Sequence, residues 1–212
     1  MAKITALSFS KGRNKKINIS LDGKRGFSLE VDVVLKEKLK IGQEISTNQI
    51  KSLKKADCRQ QCYSAATRLL YYRPRSEHEM RQRLAKLGFD TDTIEGVFTK
   101  LKEQGLLNDI VFATFWRDTR QSFSPRSQWL TKVELKQKGV STEVIDQVTN
   151  NINDKDNAYN AAKKKALSLK NTDYQLFRRK LGEYLKHRGF GYNVIIKTIE
   201  RLWQERQESK AA

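Results

Sequence analysis

The chain repeats one pattern three times: LAKLGF at residues 84–89, LKQKGV at residues 135–140 and LKHRGF at residues 185–190. In each copy a Leu is followed four positions later by a Gly and then by an apolar residue. An Ile comes six positions after each Gly, and another apolar residue comes seven positions after that Ile. Self-similarity at a period of about fifty residues is typical of helical repeat proteins. The pattern therefore predicts one helical unit, copied three times, that presents a surface to something long.

Helix start and stop signals support the same division. Ser76–Glu79 has the form of a capping box, and Gly105 suits the end of a helix. Asn108, Ser141 and Thr172 or Asp173 suit helix starts. We predict a mainly α fold of three tandem three-helix repeats in an elongated array. The predicted segments are a linking helix over 46–64 and repeats over 65–107, 108–153 and 154–208.

The first 45 residues have a different pattern. Apolar and polar residues alternate in Ile4–Ser10, Lys16–Leu21 and Arg25–Val31, as they do in β-strands. Asp22-Gly23 between the last two is a strong hairpin signal, and Asp32–Lys40 suits a short helix. We predict a small basic β-hairpin or meander of two or three strands within residues 1–45. Such a unit must pack on a neighbour, because a few isolated strands are barely stable.

The positive charge lies at the two ends of the chain. The net charge is +8 over residues 1–60, +1 over 61–110, +1 over 111–157 and +8 over 158–212. A surplus of this size indicates a polyanionic partner or an acidic protein surface. The alternative is a surplus of Lys that keeps the surface solvated and has no binding role. We favour the partner, because a surplus for solubility has no reason to avoid the central hundred or so residues.

Signs of catalysis or of a bound cofactor are missing from the sequence. It has no Gly-rich phosphate loop, no HExxH and no plausible Ser–His–Asp grouping. Cys58 and Cys62 lack further ligands at metal-binding spacing, since only His78 and His187 are available. We predict reduced thiols, no metal, no cofactor and no enzymatic activity. No run approaches the roughly 20 apolar residues of a membrane span, and Met1–Phe9 lacks the apolar core of a secretory signal. The expected compartment is the cytoplasm, with no membrane partner.

Clusters of Lys and Arg are the candidates for nucleic-acid contact. Several cations on one helix can follow one phosphate track, and such contacts position a protein without reading bases. For any single one of these residues, the alternative is an ordinary charge on a solvated surface that contacts no nucleic acid. The predicted nucleic-acid-binding residues are Lys15, Lys16, Lys24, Arg25, Lys163, Lys164, Lys165, Arg178, Arg179, Lys180, Lys186 and Arg188.

Aromatic residues stand beside Arg in the near-neutral middle of the chain. Base stacking is one interpretation, and core packing is another, which we favour for Phe112 and Phe115. Because this region has almost no excess positive charge, an Arg and aromatic surface suits a protein partner better than a nucleic acid. The predicted partner-binding residues are Tyr72, Arg73, Arg75, Trp116, Arg117 and Arg120.

The same residues carry a resemblance to a known family. Arg73–Arg81 with Leu84–Phe89 resembles the signature of the RecX family of recombinase regulators. Gly105–Ala113 with Trp116–Arg120, and then Glu134–Val140, match its second and third stretches. The resemblance covers about residues 60–205, and the third repeat matches more loosely. One departure is Arg126-Ser127, since the family often has a Gly shortly after the position of Pro125. The N-terminal segment lies outside the shared core, so no role for it carries over.

The resemblance implies a curved protein of nine helices in three repeats that binds RecA. It implies a position along the groove of the RecA filament on DNA, a limit on filament growth or strand exchange, and no enzymatic activity. The charge map adds a hypothesis: the middle repeats contact RecA, and the basic ends contact single- or double-stranded DNA. We expect the protein to act as a monomer. The alternative is a stand-alone DNA- or RNA-binding helical-repeat protein.

Overall fold

The computed structural model describes residues 1–10 and 16–211. In this part of the chain a small N-terminal sheet is followed by a series of helices, so the predicted fold class is confirmed. The elements in chain order are β1 (Ala2–Phe9), β2 (Lys16–Leu21), β3 (Lys24–Glu30), α1 (Val31–Lys36), β4 (Glu44–Ile45), α2 (Thr47–Tyr72), α3 (Glu77–Lys86), α4 (Thr91–Glu103), α5 (Asp109–Phe123), α6 (Gln128–Gln137), α7 (Thr142–Thr149), α8 (Asp154–Leu167), α9 (Tyr174–Lys186) and α10 (Tyr192–Ala211).

The chain divides into two compact units. The first comprises Met1–Arg73 and Met80–Leu107, and the second comprises Pro74–Glu79 and the chain from Asn108 onward. Each has two apolar cores. Those of the first unit lie beneath the sheet and among α2, α3 and α4. Those of the second lie among α5, α6 and α7 and among α8, α9 and α10. Each predicted repeat thus contains one core, although its exact limits stay predictions.

The N-terminal sheet is antiparallel, with strand order β3-β2-β1-β4. Asp22 and Gly23 both have positive φ, 49° and 77°, as a tight hairpin turn of type I′ requires. The two-residue strand β4 was not predicted, because so short a segment has no alternation to detect. Helix α1 ends at Lys36, four residues before the predicted Lys40, and Lys38 beyond it has a left-handed φ of 49°.

Helix α2 joins the sheet to the first repeat core. It runs without a break through the predicted linking helix and the first helix of the repeat, and a capping box of Ser46 and Gln49 begins it. In its first half Asp57, which is buried, accepts a 2.6 Å hydrogen bond from the Glu30 backbone N–H. In its second half Cys62 and Ala66 are buried in the repeat core. One helix therefore packs against the sheet as well as against the repeat core, and the sheet has the packing neighbour that a few strands need.

The three LxxxG stretches form the same helix ending. Gly88, Gly139 and Gly189 have φ of +90°, +75° and +80°, a region that favours Gly because it has no Cβ. After each Gly, the N–H of the apolar residue bonds back to the carbonyl of the Leu, at 3.2 to 3.3 Å. The Gly N–H bonds to the carbonyl three residues earlier, at 2.9 Å in every copy. This pair of hydrogen bonds is a Schellman motif, which satisfies carbonyls that a helix end leaves free.

Two of these turns are also packed tightly, each against a serine that caps another helix. The hydroxyl of Ser76 donates to the Lys138 carbonyl at 2.7 Å, next to Gly139. The backbone N–H of Ser127 donates to the Arg188 carbonyl at 3.0 Å, next to Gly189. Both serines are fully buried, and both stand third in a Pro-Arg-Ser sequence. The second unit therefore contains two copies of one joint, each made of a serine N-cap seated on a glycine turn.

A carboxylate completes each joint. Asp109 accepts a 2.9 Å bond from the Glu77 backbone N–H, and Asp154 accepts a 2.7 Å bond from the Gln128 backbone N–H. Each acid thereby satisfies a free N–H in the first turn of a helix that a joint serine caps, where a negative charge also suits the helix dipole. Burial raises the pKa of Asp154, and the bond from Gln128 opposes that rise.

Replacing Gly139 by Ala should destabilise the protein more than replacing Gly88 by Ala. Each substitution costs about 1–2 kcal/mol for a left-handed backbone. At Gly139 the new Cβ would also lie 2.5 Å from the Cβ of His78, whereas at Gly88 it meets nothing within 4 Å in the described chain. Crowding should add about 1–3 kcal/mol at Gly139. Urea unfolding of the two variants measures the difference, and equal losses would show that the close contact with His78 does not matter.

Candidate nucleic-acid and partner interfaces

The C-terminal helices present an exposed basic surface. Lys163 and Lys164 on α8 are exposed, and so are Arg178, Arg179, Lys180 and Lys186 on α9. The opposite sides of both helices are apolar, with Ala161 and Phe177 among the residues of the shared core. Lys165 is half-buried. Most of the predicted cations of this region are therefore free to meet a ligand, because the core anchors the other side of each helix.

Three of these cations line a groove between α9 and α10. Arg178, Arg179 and Lys186 stand along an open groove whose floor is formed by Gly182 and isoleucines of α10. Two tyrosines, Tyr174 and Tyr192, also line the groove, and no Asp or Glu is among the described residues that line it. Cations beside exposed aromatic rings on an apolar floor suit a single-stranded nucleic acid, whose phosphates pair with the charges while its bases stack on the rings.

Sequence reasoning missed both groove tyrosines. Tyr174 is the first residue of α9 and Tyr192 is the first residue of α10. The two residues are 37% and 71% exposed, and Tyr174 packs edge-on against Trp203, with ring centroids 5.2 Å apart. For Tyr174 the available signal was an aromatic residue directly after the helix-start signal at Thr172 or Asp173. Such a ring lies at the start of a helix, where part of it stays exposed.

Arg188 does not join the groove. Its guanidinium stacks on the Tyr184 ring, 3.9 Å from the centroid, and its carbonyl accepts the joint hydrogen bond from Ser127. Its Nε is buried without a hydrogen-bond partner in the described part of the chain. The side chain is half-buried, so Arg188 helps to form the joint more than it presents charge to solvent.

The N-terminal candidates belong to the other unit. Lys24 and Arg25 are exposed just after the β2–β3 hairpin turn, where cations can reach a ligand. Lys16 is half-buried and pairs in register with Glu30 on β3. Burial raises the pKa of Glu30, and Lys16 is among the groups that lower it. Lys15 lies outside the described residues.

The predicted partner residues of α5 surround a buried carboxylate. Glu134, only 8% exposed, accepts a 2.8 Å bond from the indole N–H of Trp116 and a 2.9 Å bond from Nε of Arg120. Arg126 pairs with the other carboxylate oxygen. Burial lowers the pKa of Arg120 and Arg126, and the neighbouring guanidinium groups lower that of Arg126 further. The network fixes Trp116 and Arg120, leaving about a quarter of the Arg120 side chain open.

The other predicted partner-binding residues differ in their exposure to solvent. Arg117 is half-buried and donates a 3.0 Å bond to the Val148 carbonyl. Arg73 and Arg75 are also half-buried. Tyr72 is 76% exposed at the end of α2, with its ring against Tyr71 in an edge-to-face contact of 5.9 Å. Of the predicted partner residues, Tyr72 is thus the one whose loss should disturb the fold least.

Comparison with known proteins shows the family of the chain. A family profile described as "RecX, first three-helix domain" matches residues 62–103. The Regulatory protein RecX of Clostridium botulinum (strain Eklund 17B / Type B) is 30% identical over 200 residues, which cover 92% of this chain and 93% of that protein. The chain belongs to the RecX family. The Regulatory protein RecX of Bacillus pumilus is also similar, with 27% identity over 99% of this chain and 81% of that protein.

Solved RecX structures share the fold. A crystal structure of regulatory protein RecX has a TM-score of 0.69 and 25% identity, and the match covers 92% of this chain and 97% of that one. A crystal structure of RecX from Lactobacillus salivarius has a TM-score of 0.59 and 25% identity, over 69% of this chain and 97% of that one. The predicted RecX resemblance is therefore confirmed.

Arg126, the residue after Pro125, pairs with Glu134. The buried carboxylate therefore faces two arginines, Arg120 and Arg126.

The cysteines of this RecX chain are free thiols without a metal cluster around them. Among residues 1–10 and 16–211 there is no group of three or more His, Cys, Asp or Glu side chains placed to hold a metal ion. Cys58 and Cys62 form no disulfide, and burial raises the pKa of Cys62 to about 11. Over the same described residues, no helix has both the length and the apolar character that a membrane crossing requires.

Removing the buried charge at Glu134 should destabilise this RecX chain strongly. In Glu134→Gln, Arg120 and Arg126 lose their counter-charge, and we expect a loss of about 2–4 kcal/mol, moderated by the partial exposure of both arginines. The matched control is Asp118→Asn. It breaks the 2.8 Å pair with Arg117, whose acidic partner is 55% exposed, and should cost less than about 1 kcal/mol. Urea unfolding measures both, and a similar small effect would contradict a structural role for Glu134.

Proposed function

We propose that this chain is a non-enzymatic regulator of homologous recombination that binds the RecA–DNA filament. In this proposal it lies in the helical groove of the filament and limits filament growth, ATPase activity and strand exchange. Membership of a family named for regulatory proteins supports the regulatory role. The observation that carries the DNA contact is the groove between α9 and α10, which combines cations and exposed tyrosines with no carboxylate among its described lining residues.

The proposal assigns DNA and RecA to different surfaces. The exposed cations of α8 and α9, with Lys24 and Arg25 of the sheet, contact DNA phosphates, which attract cations whatever the base sequence. Tyr72, and the open parts of Arg73, Arg75, Trp116, Arg117 and Arg120, contact RecA. Tyr and Arg are enriched among residues that dominate protein interfaces. A monomer acting in the cytoplasm, without a cofactor, is enough for this role.

The DNA-dependent ATPase of RecA is the most direct test. Titrating the protein into RecA on single-stranded DNA should lower the steady-state ATPase rate, because a ligand in the filament groove obstructs growth of the filament. The control is the same titration with heat-denatured protein. An ATPase rate that does not change at saturating protein would contradict the proposed regulation.

Two exposed tyrosines should give opposite results. Tyr192→Ala removes a stacking ring from the groove and should weaken binding to a single-stranded oligonucleotide about tenfold. Tyr72→Ala should leave that binding unchanged and raise the concentration for half-inhibition of the RecA ATPase about tenfold. Fluorescence anisotropy and the ATPase assay measure the two effects. Each variant is the control for the other, because both remove an exposed ring. Equal losses in both assays would argue against separate surfaces.

Charge reversal tests the basic surface as a whole. Changing Lys163–Lys165 and Arg178–Lys180 to Glu should weaken binding to bare DNA. The slope of log affinity against log salt should flatten by up to about 4 on a single strand, since each phosphate contact contributes about 0.7. If binding to bare DNA and its salt slope both stay unchanged, the α8 and α9 surface does not contact DNA.

The alternative is a stand-alone DNA- or RNA-binding protein, and a pull-down separates it from the regulator. Tagged protein is incubated with a nuclease-treated extract that contains RecA. The regulator should retain RecA without nucleic acid, because Tyr72 and the other proposed partner residues contact the recombinase itself. A stand-alone binder should lose RecA once the nucleic acid is digested.

A further inference from the structure

In the part of the chain that the structure describes, neither the backbone conformation nor a close contact requires a glycine at Gly96. It lies inside α4, where glycine is less favourable than alanine because it loses more conformational freedom on folding. Its φ is not left-handed, and a Cβ at this position would meet nothing within 4 Å in the described chain. In this it differs from Gly139 and Gly189, which neighbouring side chains approach closely. A helical glycine that the rest of the chain does not need is explained if something outside the chain approaches the helix there.

Gly96 lies on the wall of a basic cleft in the first unit. The cleft has a volume of about 500 Å³ and is formed by α1, α2 and α4. Four cations line it, and all four are exposed: Lys36, Lys55, Arg59 and Lys100. Within residues 1–10 and 16–211, none of the four forms an ion pair with a carboxylate within 4.0 Å. Their charges are therefore available to a ligand.

The rest of the cleft wall is partly fixed in place. Tyr63 donates a 2.8 Å bond to Gln104, and the amine of Lys100 lies 4.0 Å from the centroid of the Tyr63 ring. Asp32 and Glu37 also line the cleft, so cations outnumber carboxylates two to one. Asp32 accepts a 3.2 Å hydrogen bond from the Gln60 side-chain amide, so one of its oxygens already has a donor. The cleft as a whole stays positive.

We infer that this cleft binds a nucleic-acid backbone, with Gly96 as the point where the backbone comes closest to the protein. A phosphate chain supplies evenly spaced negative charges for cations that lie on three different helices. The missing side chain at Gly96 lets the sugar and phosphate approach the helix. The inference rests on the proposed function only in taking nucleic acid as a partner. It assigns residues that charge clusters along the sequence do not reveal, because Lys36, the pair Lys55 and Arg59, and Lys100 come from three helices that are separated in the chain.

Gly96→Gln separates binding from stability. Glutamine favours helix more than glycine does, and its Cβ meets open space, so the midpoint of thermal unfolding should rise or stay level. Because the side chain fills the point of closest approach, affinity for DNA should fall about three- to tenfold. Loss of binding together with higher stability is a combination that a damaged fold cannot produce. Higher stability with unchanged DNA affinity would overturn the inference.

Charge removal provides the second test, with a matched control. Lys55→Gln/Arg59→Gln should weaken binding to bare single-stranded and duplex DNA, and should lower the salt slope by about 1.4 to 1.8. Lys51→Gln/Lys86→Gln removes the same charge from exposed positions of the same unit that do not line the cleft, and should change binding little. Equal effects of the two pairs would mean that general charge, and not this cleft, attracts DNA.

Measuring RecA inhibition beside DNA binding distinguishes the remaining outcomes. If the cleft variants bind DNA normally while Tyr192→Ala does not, the cleft inference fails and the proposed function stands. If the cleft variants keep DNA binding but lose inhibition of the RecA ATPase, the cleft holds an acidic protein segment and the inference is wrong. Weaker DNA binding by the cleft variants, with the control pair unchanged, is the result that we expect.

Discussion

The left-handed glycine turn is the constraint on which the helical part of the structure depends. A helix that ends at such a turn bonds its last carbonyls to its own chain, and the next apolar residue folds back toward the core. At Gly139 and Gly189 the turn has a second role, because the serine N-cap of another helix hydrogen-bonds to it. With a Cβ at either position, neighbouring atoms would lie 2.5 to 2.7 Å away. Glycine therefore ends the helix and also leaves room for the serine that contacts the turn.

The Pro-Arg-Ser sequence is the other half of this joint. Proline keeps the residue before it out of the helical region, and the serine then caps the new helix while it contacts the glycine turn. The third repeat lacks the sequence, since Asn171-Thr172-Asp173 precedes α9. At the Gly88 turn, in contrast, a Cβ would meet no atom of the described chain within 4 Å. The joint is thus complete only where Pro-Arg-Ser and a glycine turn are both present.

Much of the fold could be predicted from the sequence, because local rules act on short stretches. The glycine turns, the Asp22-Gly23 hairpin and the caps at Asn108 and Ser141 all depend on residues within a few positions of one another. Strand β4 could not be predicted, since its two residues pair with β1 only in three dimensions. Glu134 was not singled out for the same reason: its partners Trp116, Arg120 and Arg126 come from other parts of the chain.

The candidate site residues fall into two groups, bonded arginines and exposed cations, and clusters in the sequence do not distinguish them. Arginines that meet a buried carboxylate or a carbonyl, such as Arg120 and Arg117, hold helices in place. Exposed cations that line a groove, such as Arg178 and Lys100, contribute little to the fold, because exposed charges stabilise a protein weakly. Their concentration around two grooves, one of which also contains exposed tyrosines, therefore needs a cause outside the fold. The proposed polyanion would account for both grooves, because it attracts cations through charge and requires no particular sequence.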